Sequence, residues 1–316
     1  MQRGDSRGAE LSARRALELD NQSPEAYNLL GYVAALQGEF EDAVEHYRQA
    51  IALDDAYLEA MLNAAEVYIH PLGEFDQAIN MCDQALDLGE NDDEIVDALL
   101  LKFDALLGKG ELEEAERLCE RFPAGPFENV NHTFLVGRAL YEIGRLDRAI
   151  PMIEQAVKDH PNNPEALYYL GLVRDERGDV VGATKAFLAS RTLDREVPPP
   201  VWSLSPETFE RAARQALESL EPELRGFVRE SELYVADAPG VEVVVDGVDP
   251  RALILLDGVS GKPGNTTARV FVYQQNVERL AGSVELIEAE IKAALEREIR
   301  AAFIEPEPVP PAGQLN

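Results

Sequence analysis

The chain is poor in cysteine, histidine and tryptophan, with two, four and one among 316 residues. Two cysteines are too few for a disulfide framework. The histidines, His46, His70, His132 and His160, fall at no metal-ligand spacing, so surface or turn positions account for them. Long apolar runs are also missing. Ala252-Leu253-Ile254-Leu255-Leu256 is typical of the longest, far short of the roughly 18 residues of a membrane span. The opening Met1-Gln2-Arg3-Gly4-Asp5-Ser6-Arg7 has no apolar core of the kind a secretory leader needs. Positive charge is scarce: 29 Lys and Arg stand against 59 Asp and Glu, a net of −30. Phosphate backbones need basic side chains to displace their counterions, which disfavours a nucleic-acid partner. These absences leave a folded, reduced, cytoplasmic protein as the expectation, with 46% apolar and 28% charged residues.

What is present is periodic. A glycine followed five residues later by alanine recurs at Gly38/Ala43, Gly73/Ala78, Gly110/Ala115, Gly144/Ala149 and Gly178/Ala183, with alanine-to-alanine steps of 35, 37, 34 and 34. Seven residues after each alanine stands a small residue, Ala50, Ala85, Ala156 or Ser190; the third copy departs with Phe122. Leu30-Gly31, Val136-Gly137 and Leu170-Gly171 sit seven residues before the turn glycine. Apolar residues recur at helical spacing, as in Ala43, Tyr47, Ala50 and Ile51. The pattern is that of paired helices in which small residues permit close approach and a glycine ends the first helix in a left-handed conformation.

These residues resemble tetratricopeptide repeats over about positions 1–195. The resemblance implies an α-solenoid of helical hairpins with five repeats and a partial one at the N-terminus. In repeat two, Pro71 within Ile69-His70-Pro71-Leu72 predicts an early end or a kink of the first helix. Repeat three matches poorly in its first helix and ends in Phe122-Pro123-Ala124-Gly125-Pro126, which predicts a break and a bend. Gly4/Ala9/Ala16 supplies only the turn and second helix of a sixth copy. That helix is either a cap on the next repeat or the remnant of a start upstream of Met1, the second being favoured. Cys82 and Cys119 occupy the slot that holds Tyr47, Ile153 and Phe187 elsewhere, so buried structural thiols are expected.

Val197-Pro198-Pro199-Pro200-Val201 reads as a stiff extended linker. The sequence therefore divides into a repeat domain at 1–196, a linker at 197–202, a second domain at 203–304 and a tail at 305–316 whose prolines and glutamates cannot fold. Residues 1–196 hold 18 basic and 39 acidic side chains, a net of −21, so the acidity lies mainly on the repeats. The second domain opens with a capping signal, Ser205-Pro206-Glu207, ahead of Phe209, Ala212, Ala216 and Leu220. Strands are predicted at 233–235, 241–245, 252–256 and 269–273, and one long helix over about 284–303.

This order of helix, short strands, edge-type strand and long helix resembles a minimal zincin-like metallopeptidase family of bacteria, over about residues 205–308. The resemblance implies a small α+β zincin-like domain whose last helix once carried two histidines around a catalytic glutamate. Arg297 and Ala301 stand at the two histidine positions, Glu298 at the general base and Glu307 near the third ligand. Arginine repels a cation and alanine offers no lone pair, so no metal, no cofactor and no catalysis are expected of this degenerate motif. Pairing of Arg297 with Glu298, or of Arg300 with Glu296, is the plain reading of those charges. By the same resemblance, the strand Arg269 to Tyr273 is a candidate to pair with an extended peptide, although an ordinary sheet edge is the commoner reading.

A non-catalytic interaction scaffold or adaptor is the leading expectation. The resemblance places Glu25, Asn28, Tyr32, Glu59, Leu62, Glu66, Asn131, Phe134, Arg138, Glu165, Tyr168, Leu172 and Asp175 on the groove-lining helices. The core set is Asn28, Tyr32, Leu62, Glu66, Phe134, Arg138, Tyr168 and Asp175. Acidic with aromatic spots, this surface predicts a basic or amphipathic protein or peptide partner. Clamps of this repeat family for a C-terminal carboxylate need basic groove residues; Asn28, Leu62, Phe134 and Tyr168 stand there instead. A zinc peptidase with a non-standard site, and a regulatory subunit of a separate enzyme, are the alternatives.

Overall fold

A computed structural model describes residues 6–258 and 269–304. It forms two compact units, Met1–Pro161 and Asn162–Asn316. Among the described residues the first unit has helices and no strand: α1 Ser6–Leu19, α2 Pro24–Gln37, α3 Phe40–Leu53, α4 Leu58–Ile69, α5 Phe75–Leu88, α6 Asp92–Lys109, α7 Leu112–Cys119, α8 His132–Glu142 and α9 Leu146–Asp159. The pairs α2/α3, α4/α5, α6/α7 and α8/α9 are four hairpins of the expected kind, and α1 packs on α2. Ser23 caps α2 from its hydroxyl, with Pro24 at the first helical position. Gly38 then ends that helix at φ 81°. In α4 the helix stops at Ile69, before Pro71, as the sequence predicts.

The spacing of small and large residues has a direct packing cause. A Cβ on Gly31 would lie 2.6 Å from the Tyr47 ring, and one on Gly171 2.3 Å from the Phe187 ring. Each glycine thus clears room for the large residue of the second helix. Where that second-helix slot holds Cys82 or Cys119, the corresponding first-helix positions hold the larger Ala65 and Phe103, all buried. Glycine on the first helix faces a large residue on the second in repeats one and five, and in repeat three Phe103 and Cys119 reverse the sizes. The cysteines are therefore core residues, and burial pushes both thiols up to about 12.

Repeat three departs in its second helix rather than its first: α6 is a regular helix of 18 residues, and the break expected at 122–126 follows a short α7. Helix α7 stops at Cys119, so Phe122 is not helical; it is nonetheless buried. Arg148 donates from Nη1 and Nη2 to the carbonyls of Cys119 and Phe122, at 3.0 and 3.2 Å, and pins this irregular connector to α9.

The second unit begins with a fifth hairpin, α10 Pro164–Glu176 and α11 Val180–Glu196. It continues through α12 Pro206–Glu218, α13 Pro222–Val228, β1 Glu232–Ala236, α14 Val241–Val245, β2 Ile254–Asp257, β3 Arg269–Tyr273, α15 Gln274–Ala281 and α16 Ile287–Ile299. Ser205 caps α12, with Pro206 at its first position. The strands form one sheet in the order β1-β3-β2, with β3 parallel to β1 and antiparallel to β2. The register sets Val270 and Val272 on the same face as Leu233, Val235, Ile254 and Leu256. That face packs on Phe209, Ala213 and Ala216 of α12 and on Ile291, Ala294, Leu295 and Ile299 of α16. On the opposite face Tyr234 and Phe271 stack with ring centroids 5.2 Å apart.

Three sequence expectations are corrected here. Val241–Val245 is one helical turn, not a strand: only Val244 is fully buried, and α14 packs on α11 rather than in the sheet. Tertiary packing outweighs the strand preference of its valines. Arg269–Tyr273 is the central strand, not an edge, so both sides of its backbone are already paired. The last helix is not one continuous α-helix over 284–303. It runs from a 3-10 turn at Val284–Leu286 into α16 and then a π turn at Arg300–Ile304. The proline-rich 197–202 lies inside the second unit; Trp202 packs on its core, and Ser203 donates from its hydroxyl to the buried Glu278 at 2.8 Å.

Candidate interaction surface

The first helices of repeats two, three and four bring one cleft together in the first unit. It holds about 360 Å³ and is lined by Leu62, Asn63 and Glu66 of α4, Asp97, Leu101 and Asp104 of α6, and Leu135 and Arg138 of α8, among others. Three of the sequence-predicted groove residues, Leu62, Glu66 and Arg138, meet there. Leucines form the apolar lining, while Glu66, Asp97 and Asp104 outnumber the cationic Arg138. Burial pushes the Asp104 carboxyl above the ordinary carboxylate range, against the opposing pull of Arg138 and His70. Arg138 lies 3.5 Å from Glu142.

The other predicted residues are placed differently. Asn28 is buried and joins α2 to α4: it donates from Nδ2 to the Tyr57 hydroxyl at 3.2 Å and accepts from Asn63 at 3.1 Å. Phe134 is buried in α8. Tyr32, Glu25, Glu59 and Asn131 are exposed. In the second unit, Glu165 and Tyr168 of α10 contact the chain itself, Leu172 is half-buried and Asp175 is exposed.

His132 is the main departure from the sequence reading. It is 1% exposed rather than superficial. Nδ1 lies 2.7 Å from Asp93 Oδ1 and Nε2 2.8 Å from Asp97 Oδ1, so the first residue of α8 is tied to successive turns of α6. Asp93 also accepts the backbone N–H groups of Glu128 and Asn129, each at 2.9 Å. These two donors and His132 hold its carboxyl below the ordinary range. The signal was present in the i, i+4 pair Asp93/Asp97, but only the fold brings the ring between them. A larger cleft of about 790 Å³ lies beside the same connector, lined by Pro126, Phe127, Val130, Pro151 and Met152 among others.

Short helix α15, which the sequence reading missed, organises the second unit. Asn276 donates to the carbonyls of Pro250 and Ala252 at 3.0 and 2.8 Å. Gln275 donates to the Asp194 carbonyl at 3.0 Å. Glu278, 3% exposed, accepts from Ser203, the Leu204 N–H and Gln274. Its run of polar residues, Gln274-Gln275-Asn276, carries no hydrophobic period to announce it.

On the last helix Arg297 and Glu298 pair at 3.2 Å, and Ala301 is exposed. Glu307 lies outside the described residues. Among the described residues no group of three or more His, Cys, Asp or Glu is placed to hold a metal ion. No helix there is long and apolar enough to cross a membrane.

The hairpins and their small-residue spacing define a helical-repeat chain. Residues 24–57, 60–95 and 135–198 match family models described as tetratricopeptide repeat, and these stretches are tetratricopeptide repeats. Among curated proteins, a Hsp70-Hsp90 organizing protein of Triticum aestivum is 41% identical over 51 residues, covering 16% of this chain and 9% of that protein. Hsp70-Hsp90 organizing protein 2 of Arabidopsis thaliana is 32% identical over 83 residues, covering 25% and 14%. The chain thus spans only a small part of the length of these relatives. Among solved structures, pilF of Pseudomonas aeruginosa superposes with a TM-score of 0.52 at 19% identity, over 63% of this chain and 88% of that one, a likeness of fold. The fold is a helical, solenoid-like tetratricopeptide-repeat arrangement followed by a small three-stranded sheet; the zincin-like architecture expected for the C-terminal region is not found among these likenesses.

Proposed function

We propose that the protein is a non-catalytic scaffold whose repeat domain, residues 1–196, holds a basic or amphipathic peptide or helix of a partner protein. The observation that carries this reading is the cleft of α4, α6 and α8, in which leucines line the interior and Glu66, Asp97 and Asp104 supply the charge. An apolar side chain flanked by Lys or Arg matches both features. Capture of a C-terminal carboxylate is disfavoured, because Asn28, Leu62, Phe134 and Tyr168 supply no cation. The non-catalytic part rests on the chemistry of the last helix: Arg297 and Ala301 cannot serve as metal ligands. The free buried cysteines support a cytoplasmic setting.

The test is fluorescence anisotropy with a labelled amphipathic Lys/Leu helical peptide, at low and high salt, on the full chain. Binding is expected to weaken with salt. Leu62→Asp and Glu66→Lys are each expected to cost about tenfold in affinity, or about 1.4 kcal/mol. Binding that ignores salt and both substitutions would overturn the assignment of this cleft.

A further inference from the structure

Within the second unit, the inner helix of the fifth hairpin already has a basic occupant. The Arg251 guanidinium carbon stands 4.3 Å from the centroid of the Tyr168 ring. Its Nη1 donates to Glu165 at 2.8 Å. Nε and Nη2 donate to Asp194 Oδ2 and Oδ1 at 3.1 and 3.4 Å, two prongs on one carboxylate. The Arg251 side chain is 17% exposed and that of Asp194 10%. Asp249, two residues earlier, accepts from the Tyr168 hydroxyl at 2.7 Å and from the Arg251 N–H at 2.7 Å, which sets the turn that presents the arginine. Arg279 is a second partner of Asp194, at 3.0 Å.

An aromatic face, a carboxylate gripped by two parallel N–H donors and a second carboxylate on the remaining nitrogen together match a planar guanidinium. An ammonium satisfies neither the stacking nor the fork. We propose that Tyr168, Glu165 and Asp194 form an arginine-recognition site that the chain fills in cis with Arg251 and that accepts the arginine of a partner in its place. The backbone of the turn is anchored by Asn276 through the Pro250 and Ala252 carbonyls. The exchange therefore needs only rotation of the Arg251 side chain. The proposal rests on the repeat faces being recognition surfaces and adds both a ligand class and a built-in competitor.

The probe is N-acetylarginine amide, with N-acetyllysine amide as control, followed by saturation-transfer NMR and thermal melting of the full chain. The cis occupant acts at an effective concentration of roughly millimolar or more, so Arg251→Ala should bind the arginine probe about tenfold more tightly than wild type. Its melting temperature should rise with the arginine probe and not with the lysine one. Asp194→Asn added to Arg251→Ala should abolish both effects. Arg251→Gln, which keeps a polar side chain at the site, is the second variant. Should either variant be unfolded alone, recovery of a cooperative melt on adding the arginine probe is the expected result. Equal binding to wild type and variants, equal response to the lysine probe, or no recovery of an unfolded variant would each overturn the proposal. None of these outcomes touches peptide capture by the α4–α6–α8 cleft, and failure of that capture leaves the arginine-probe result standing.

Discussion

Replacing Gly31 by alanine separates two opposing effects whose sizes are known. Inside a helix, alanine is favoured over glycine by about 1 kcal/mol. At Gly31, however, the new methyl would stand 2.6 and 2.7 Å from two carbons of the Tyr47 ring and 3.0 Å from the Ala43 carbonyl oxygen. Tyr47 is 1% exposed, so its ring has no empty space to enter. Inserting a methyl into a filled core costs about 1–3 kcal/mol. Gly31→Ala should therefore destabilise by about 0–2 kcal/mol, and the decisive comparison is in a second background. Tyr47→Cys installs the residue that repeats two and three carry in this slot. There the same Gly31→Ala change meets no ring, leaving only the snug Ala43 carbonyl, and should stabilise by about 0.5–1 kcal/mol. The expected coupling is about 2 kcal/mol, well above what independent sites show. Urea denaturation followed by circular dichroism measures it, and each kcal/mol corresponds to roughly 2–4 °C of melting temperature at this size. Equal effects of Gly31→Ala in the two backgrounds would refute the size-exchange account of the repeat pattern.

His132→Ala leaves two carboxylates of α6 without their shared partner and a hole beside Phe127; a loss of about 1–3 kcal/mol is expected, read from the urea midpoint. The Asp93 carboxyl titrates below its unfolded value, so its contribution is fully present above the ordinary carboxylate range, near pH 4, and is lost as pH falls through the lower folded value. The protection of the Glu128 and Asn129 amides, taken as exchange relative to the intrinsic rate at each pH, should fall across that acid window, and Asp93→Asn should remove that fall; an unchanged profile in the variant would assign it to another group. Cys82 and Cys119, with thiols raised to about 12 and no exposure, should resist alkylation at pH 8 in the native protein and both react in urea. Rapid native labelling of either would contradict the packing described for its slot.

Local periodicity determined most of the repeat architecture. The Gly38-to-Gly178 series marks where first helices end, except in repeat two, where α4 stops at Ile69 ahead of Pro71, and the small positions Gly31, Gly137 and Gly171 fix where second helices come close, because both constraints act within one hairpin. Leu62, Glu66 and Arg138 line one cleft, but it was the resemblance to tetratricopeptide repeats, not their spacing, that placed them on groove-lining helices. The Ser205-Pro206 cap was likewise local. Tertiary structure alone decided what depends on distant partners. His132 meets Asp93 and Asp97 across 39 and 35 residues, and Arg251 meets Asp194 and Glu165 across 57 and 86. The valines of 241–245 became a helical turn, and the strand at 269–273 became central rather than an edge, because strand order follows from which faces bury together. A repeating spacing encodes geometry within one turn of chain; charge networks and strand neighbours are set only when remote segments share a desolvated space.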